Sequence, residues 1–273
     1  MIKNPNAGPM SFLGFFSLSL SGWLVLAFLV LPILIVLPLS FSDSRYMSLP
    51  INSLTLHWYE DFFGSTQWLG ALFNSFSIAI LSTVCAVVLG GLAALGLSHE
   101  RLPGRRFIEV LLIAPMIVPA VIVGVGMYFV FSSLGLTRTF GGLVLAHTTL
   151  AVPFVVINVG SALSGLNRRL LWAAASMGAT PWICLRKVTL PLIAPGLISG
   201  GLFAFATSLD EVVVTLFLAG PDQRTLPREM FTTARESLSP VLLAAATIMV
   251  LFATVLLVLS RHLTQRKANV SGA

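Results

Sequence analysis

Six apolar runs, at about 12–41, 71–97, 108–132, 142–161, 196–219 and 238–260, constrain this chain more than any other feature. Each reaches the length that crosses a bilayer as a helix, about 20 residues. In lipid, backbone N–H and C=O groups must pair within their own segment or around a closed barrel. The runs lack the apolar–polar alternation of barrel strands. The expected fold is therefore all-α: a polytopic membrane protein with six transmembrane helices. Composition agrees, since the chain is 56% hydrophobic and 10% charged, against about 25% charged in soluble domains. The first run is about twice as long as a signal-peptide core and no small-x-small cleavage site follows it, so it is expected to stay as an anchor.

Lysine and arginine set the orientation. With both termini in the cytoplasm, the inner segments carry Lys3, Arg101, Arg105, Arg106, Arg168, Arg169, Arg186, Lys187, Arg261, Arg266 and Lys267. The outer segments carry Arg45, Arg138, Arg224, Arg228 and Arg235, offset by Asp43, Glu60, Asp61, Asp222, Glu229 and Glu236. The net charge of +6 is mostly this positive-inside bias and gives no reason to expect nucleic acid as a partner. The whole chain, 1–273, reads as one transmembrane domain with a cytoplasmic loop at about 162–194 and a cytoplasmic tail at 261–273.

Smaller features fit a bundle. Trp58, Tyr59, Phe62 and Phe63 in the outer loop suit aromatic anchors at the membrane surface. Gly196 and Gly200 make a small-xxx-small pattern for close helix packing, and Asn158 reads as a hydrogen-bond partner between helices. Pro115, Pro119 and Pro153 are expected to kink their helices. Cys85 and Cys184 lie far apart on this topology and read as unpaired thiols. His57, His99, His147 and His262 show no ligand spacing, so no metal site is expected. No Ser, His and Asp set forms a nucleophile arrangement.

The loop is unusual. AAASMGATPWICLRKVTLP, residues 173–191, holds two prolines, a glycine and an Arg-Lys pair between two apolar runs. About 30 residues is too long for a mere turn. Leu166, Leu170, Ala174 and Met177 recur at helical spacing. Gly178 can end that helix in the left-handed conformation. Thr180 can cap a second helix with Pro181 in its first turn, and Arg186 and Lys187 would lie near its C-terminal end. The pattern describes a short, Ala-faced helix braced by a second one, offered to a partner that approaches closely.

These residues resemble the cytoplasmic motif of permease subunits in binding-protein-dependent ABC importers: Glu-Ala-Ala, three residues, Gly, nine residues, Ile-x-Leu-Pro. Ala173, Ala174 and Gly178 match, followed at the right distance by Val188, Leu190 and Pro191, with Val in place of Ile. Trp172 stands where the family has Glu. The resemblance spans essentially the whole chain. It implies a type I importer permease fold and an ATPase-docking surface comprising Trp172, Ala173, Ala174, Met177, Gly178, Ala179, Val188, Leu190 and Pro191. It also implies partners: a second permease, two ATP-binding-cassette subunits, a periplasmic binding protein and the lipid of a bacterial inner membrane. A phosphate-binding loop needs Gly-Lys, and Lys3, Lys187 and Lys267 follow Ile2, Arg186 and Arg266. ATP and Mg are therefore expected on the partners, with no cofactor on this chain.

Residues 200–250 resemble one branch more narrowly, the second permease of spermidine/putrescine importers. Ser208, Asp210, Glu211, Gly220, Pro221, Leu226, Pro227, Ser239 and Pro240 carry that likeness. It implies an alternating-access pathway for a polyamine, with opines or amino-acid derivatives as other candidate solutes. Asp210 and Glu211 are an acidic pair inside an apolar run, where an ionised acid costs about 2.5–3.5 kcal/mol. Counting back from Gly220 through an unbroken helix puts Asp210 about 15 Å deep, near the midplane. Ser208, Asp210, Glu211 and Phe205 are the candidate pathway residues, with one acid expected to face the path and the other to be paired. A stand-alone secondary transporter, a channel or a plain membrane anchor are the competing classes, and none of them accounts for the 173–191 loop.

Overall fold

The computed structural model describes residues 9–44, 51, 53–99, 102–237 and 239–271. In chain order the helices are α1 (Pro9–Leu39), α2 (His57–Gly64), α3 (Thr66–Leu97), α4 (Arg105–Ile117), α5 (Ala120–Ser133), α6 (Phe140–Ser164) and α7 (Arg168–Ser176). They continue with α8 (Pro181–Cys184), a π turn (Leu185–Thr189), α9 (Leu190–Leu209), α10 (Val213–Leu218), α11 (Leu226–Glu236) and α12 (Val241–Ser271). Among the described residues, β pairing is limited to one isolated bridge between Ser42 and Leu54. Lys3, Arg45 and Arg101 of the charge pattern, and the last two residues of the tail, lie outside the described residues.

The six expected spans take three forms. Phe16–Leu39, Thr66–Leu97, Phe140–Ser164 and Pro181–Leu209 are long and apolar enough to cross a membrane, the last reaching only Leu209 of the run expected at 196–219. The run at 108–132 is not one helix: α4 and α5 meet at 108°. Pro119 is the cause, since it pushes Val118 out of the helical region, to φ −70°, ψ 136°. The last run appears as a shorter apolar helix over Val241–Leu256 among the described residues.

The chain forms two compact units, one from Met1–Phe62 with Leu238–Leu251, the other from Phe63–Ser237 with Phe252–Ala273. In the first, Trp58 and Phe62 are buried rather than serving as surface anchors. The indole N–H of Trp58 donates to the Ser42 carbonyl at 2.8 Å, and the Tyr59 hydroxyl lies 2.7 Å from Ser40 Oγ. An indole with a protein partner at hand buries its ring there instead of at the lipid surface. Phe63, by contrast, is exposed.

In the second unit α3, α6 and α9 pack against one another. One buried layer joins Ala86 and Ala94 to Ala151, Val155 and Val159 and to Ile193 and Ala204. Another joins Ile78, Leu143, Ala146 and Leu150 to Val214 and Leu218 of α10. Helices in lipid associate through close packing rather than a hydrophobic drive, which favours small residues at the seam. Gly196 and Gly200 show this directly: a Cβ at Gly196 would lie 2.8 Å from the Asn158 carbonyl oxygen, and one at Gly200 would lie 2.9 Å from Val155 Cα. Asn158 itself differs from expectation. Its Nδ2 donates to the Phe154 carbonyl of its own helix at 2.8 Å.

At the far end of α3 from the 162–194 loop, a polar cluster straps the 220–229 segment down. Glu229, 3% exposed, accepts from Gln67 Nε2 and from Arg224 Nη1 at 3.2 Å. Asn74 Nδ2 reaches the carbonyls of Asp222 and Arg224 at 2.9 and 3.1 Å, and the Leu226 N–H donates to Ser75 Oγ at 2.7 Å.

Candidate functional site

Two places concentrate unusual chemistry. The first is the loop between α6 and α9. Asn167 caps α7, its side chain accepting from the Arg169 N–H at 3.0 Å, so the helix starts at Arg168 and leaves Leu166 outside. It ends in a Schellman motif. The Gly178 N–H donates to the Ala175 carbonyl at 2.9 Å and the Ala179 N–H to the Ala174 carbonyl at 3.1 Å, with Gly178 at φ +84°. That conformation costs a residue with a Cβ about 1–2 kcal/mol. Thr180 then caps α8, accepting from the Ile183 N–H at 3.4 Å, with Pro181 in the first turn.

Beyond Pro181 the structure departs from expectation. No separate bracing helix forms; Pro181–Leu209 is one continuous helix, with Arg186 and Lys187 in its π turn rather than at a helix end. Pro191 explains the turn. In a regular helix its ring would collide with the Lys187 carbonyl, and the widened turn, in which the Leu190 N–H reaches back to the Leu185 carbonyl, relieves that. Val188 and Leu190 are half-buried and Pro191 is exposed. Of the alanines, Ala174 faces inward at 6% exposure, while Ala173 is exposed and Ala179 half-buried. The outward side is led by Trp172, 67% exposed, and Met177, 83% exposed, with Trp182 nearby in sequence and equally bare.

The second place is a break in the helix expected at 196–219. α9 stops at Leu209, Asp210 caps it at φ −93°, ψ 0°, and α10 restarts at Val213. Val212, Val213, Val214 and Thr215 are all β-branched, a run that lowers helix propensity. Glu211 makes the restart possible: its Oε1 accepts from the Val214 N–H at 2.8 Å. The two acids are thereby separated. Asp210 is exposed and Glu211 half-buried. The depth of about 15 Å assumed an unbroken helix, and the break removes its basis. Phe205, one turn earlier, lies beside Phe76 and Phe252, with ring centroids 6.4 and 6.0 Å away.

Ser208 is buried, and its partner is a residue that the sequence offered only as a scattered histidine. His147 Nδ1 lies 2.7 Å from Ser208 Oγ, and Nε2 lies 3.1 Å from Thr215 Oγ1. One imidazole on α6 touches both sides of the break. The available signal was its chemistry alone: an ionisable side chain inside a span is a functional candidate by default. Cys85 and Cys184 are free thiols, and among the described residues no three His, Cys, Asp or Glu side chains cluster as a metal site would need.

Known sequences place this architecture. The pattern of the family described as binding-protein-dependent transport system inner membrane component matches residues 86–269. The chain belongs to that family. The spermidine/putrescine transport system permease protein PotC of Haemophilus influenzae is 34% identical over 244 residues, covering 89% of this chain and 95% of that protein. PotC of Escherichia coli K12 is 32% identical over 245 residues, covering 90% and 92%, and the putrescine transport system permease protein PotI of the same strain is 33% identical over 228 residues, 81% of each. Among solved structures, a bacterial ABC transporter that imports the acidic polysaccharide alginate aligns at a TM-score of 0.74 and 17% identity, covering 92% of this chain and 95% of that one. The MetNI methionine ABC transporter aligns at 0.62 and 19%, covering 73% and 95%. At such identities these two speak to the fold, which is the type I ABC importer permease fold. The permease is thus a multi-pass membrane subunit of an ABC importer.

Proposed function

We propose that the permease, with a second permease subunit, forms an alternating-access pathway for a polyamine of the spermidine/putrescine class. The observation that carries this reading is the helix break at 209–213. It brings the carbonyl end of α9, with its partial negative charge, together with an exposed carboxylate on Asp210 and a second on Glu211. Broken helices whose C-terminal ends and freed carbonyls meet a cation are a recurrent device in transporters. Phe205 adds an aromatic face that attracts cations. The names of PotC and PotI support the same cargo class.

The 162–194 loop is the docking site for an ATP-binding-cassette subunit, one of two in the complex that hold ATP and Mg and perform the hydrolysis. Both termini and this loop face the cytoplasm, and a periplasmic binding protein delivers cargo at the other side. Trp172, Met177 and the Schellman turn at Gly178 present the contact surface, and Ala174 supports it from beneath.

The test is the reconstituted complex in proteoliposomes with its binding protein. Spermidine or putrescine should stimulate ATP hydrolysis, and Asp210→Asn should lower uptake about tenfold, the effect of roughly 1.4 kcal/mol, with the complex intact. Stimulation by a neutral or anionic solute, with Asp210→Asn without effect, would overturn the cationic reading.

A further inference from the structure

We infer that His147 is a positioning residue for the acidic break: it ties the two sides of the interrupted helix together and so sets where Asp210 and Glu211 stand. This rests on the pathway reading above. His147 is 1% exposed, and nothing in the coupling loop or the carboxylate pair accounts for an imidazole there. Both ring nitrogens are engaged, one with the last turn of α9 through Ser208 and one with the first turns of α10 through Thr215.

Counting hydrogens orients the bond on the Thr215 side. Thr215 Oγ1 donates to the Glu211 carbonyl at 3.3 Å, and a hydroxyl has a single hydrogen to give. The imidazole therefore donates to Thr215 through Nε2, while Nδ1 and the Ser208 hydroxyl share the second bond. The result is one connected chain of Ser208, His147, Thr215 and the Glu211 carbonyl. It ends on the residue whose carboxylate caps α10 at Val214. Each link constrains the next, so loosening the ring frees the backbone at 210–212. A packing role alone would be met by an apolar side chain of similar size without placing two polar nitrogens in the interior.

The experiment is a double-mutant cycle on uptake by the complete reconstituted complex, with spermidine as the probe. His147→Leu removes both bonds of the ring, and Thr215→Val removes the ring's Nε2 bond together with the Thr215–Glu211 bond while keeping the side chain's shape. Each should lower uptake by about fivefold or more, the factor expected of one net hydrogen bond. His147→Gln, which keeps a donor and an acceptor, should recover part of the loss. In a Glu211→Gln or Asp210→Asn background the Thr215→Val change should cost less than about twofold, because its target is already disabled. If His147→Leu fails to assemble, Thr215→Val carries the same cycle. Full additivity, or no effect of Thr215→Val, overturns the tether while leaving the pathway reading standing. If Asp210→Asn and Glu211→Gln themselves leave uptake unchanged, the pathway reading falls and the tether falls with it.

Discussion

The coupling loop and the acidic break are opposite kinds of construction. The loop holds its shape through contacts between neighbours in sequence: Asn167 to Arg169, Gly178 to Ala175, Ala179 to Ala174, Thr180 to Ile183. Its large apolar side chains are left bare. The break is held from a distance, by His147 reaching 61 and 68 residues along the chain to Ser208 and Thr215. Its polar groups are mostly inside. A loop with its large side chains bare is shaped by local rules alone, whereas an interruption packed against another helix is defined by that neighbour.

That contrast is most sharply tested at Gly178. Its Cβ would meet nothing within 4 Å, so a substitution acts through φ +84° rather than through collision. Gly178→Val should cost about 1–2 kcal/mol locally and misdirect the chain into α8. Uptake should fall at least about tenfold, and the ATPase subunit should no longer co-purify, while the permease still inserts. Co-purification at the normal level would show that the loop tolerates another exit geometry. Trp172→Ala comes next. Removing a large exposed aromatic from an interface typically costs about 1–3 kcal/mol when it is an anchor, so ATPase affinity measured by titration should drop about tenfold. Trp172→Glu, which restores the family residue, should not recover it if the partner's groove fits an aromatic.

Glu211 separates cap from charge. Glu211→Gln keeps an oxygen for the Val214 N–H and should leave thermal stability within about 0.5 kcal/mol, whereas Glu211→Ala loses the cap and should cost about 1 kcal/mol. Equal stability in the two variants would mean that the break does not depend on its own cap. The smallest effect belongs to Thr180→Ala. Its capping bond is long, at 3.4 Å, and the change should cost no more than about 0.5 kcal/mol, with uptake close to normal.

The same contrast explains what could be read from the sequence. The Schellman glycine, the Thr180 cap and Pro181 follow from backbone chemistry of adjacent residues, and the structure has them where that chemistry puts them. The apolar runs likewise gave the helical class, and Pro119 the bend between α4 and α5. The break at Asp210 is not evident from the sequence, because the run 196–219 is apolar enough to continue and the β-branched residues 212–215 weaken a helix without by themselves forcing a stop. It takes His147 and the Glu211 cap together. The buried Trp58 and the strapped 220–229 segment were missed for a related reason: Gln67 and Glu229 are 162 residues apart. Sequence periodicity identifies which face of a helix is apolar but not which distant polar group will meet it.

One continuous element joins the two regions. From Pro181 to Leu209 the chain is a single 29-residue helix, about 43 Å long, with the proposed docking loop at one tip and the carboxylates at the other. Mechanically this is a push-rod. If the loop is the docking site proposed above, a stroke or twist delivered at Thr180 reaches Asp210 through the widened turn at Leu185–Thr189 and past Pro195 inside α9. On that reading, the stiffness of these two points governs how much of the stroke the carboxylates feel.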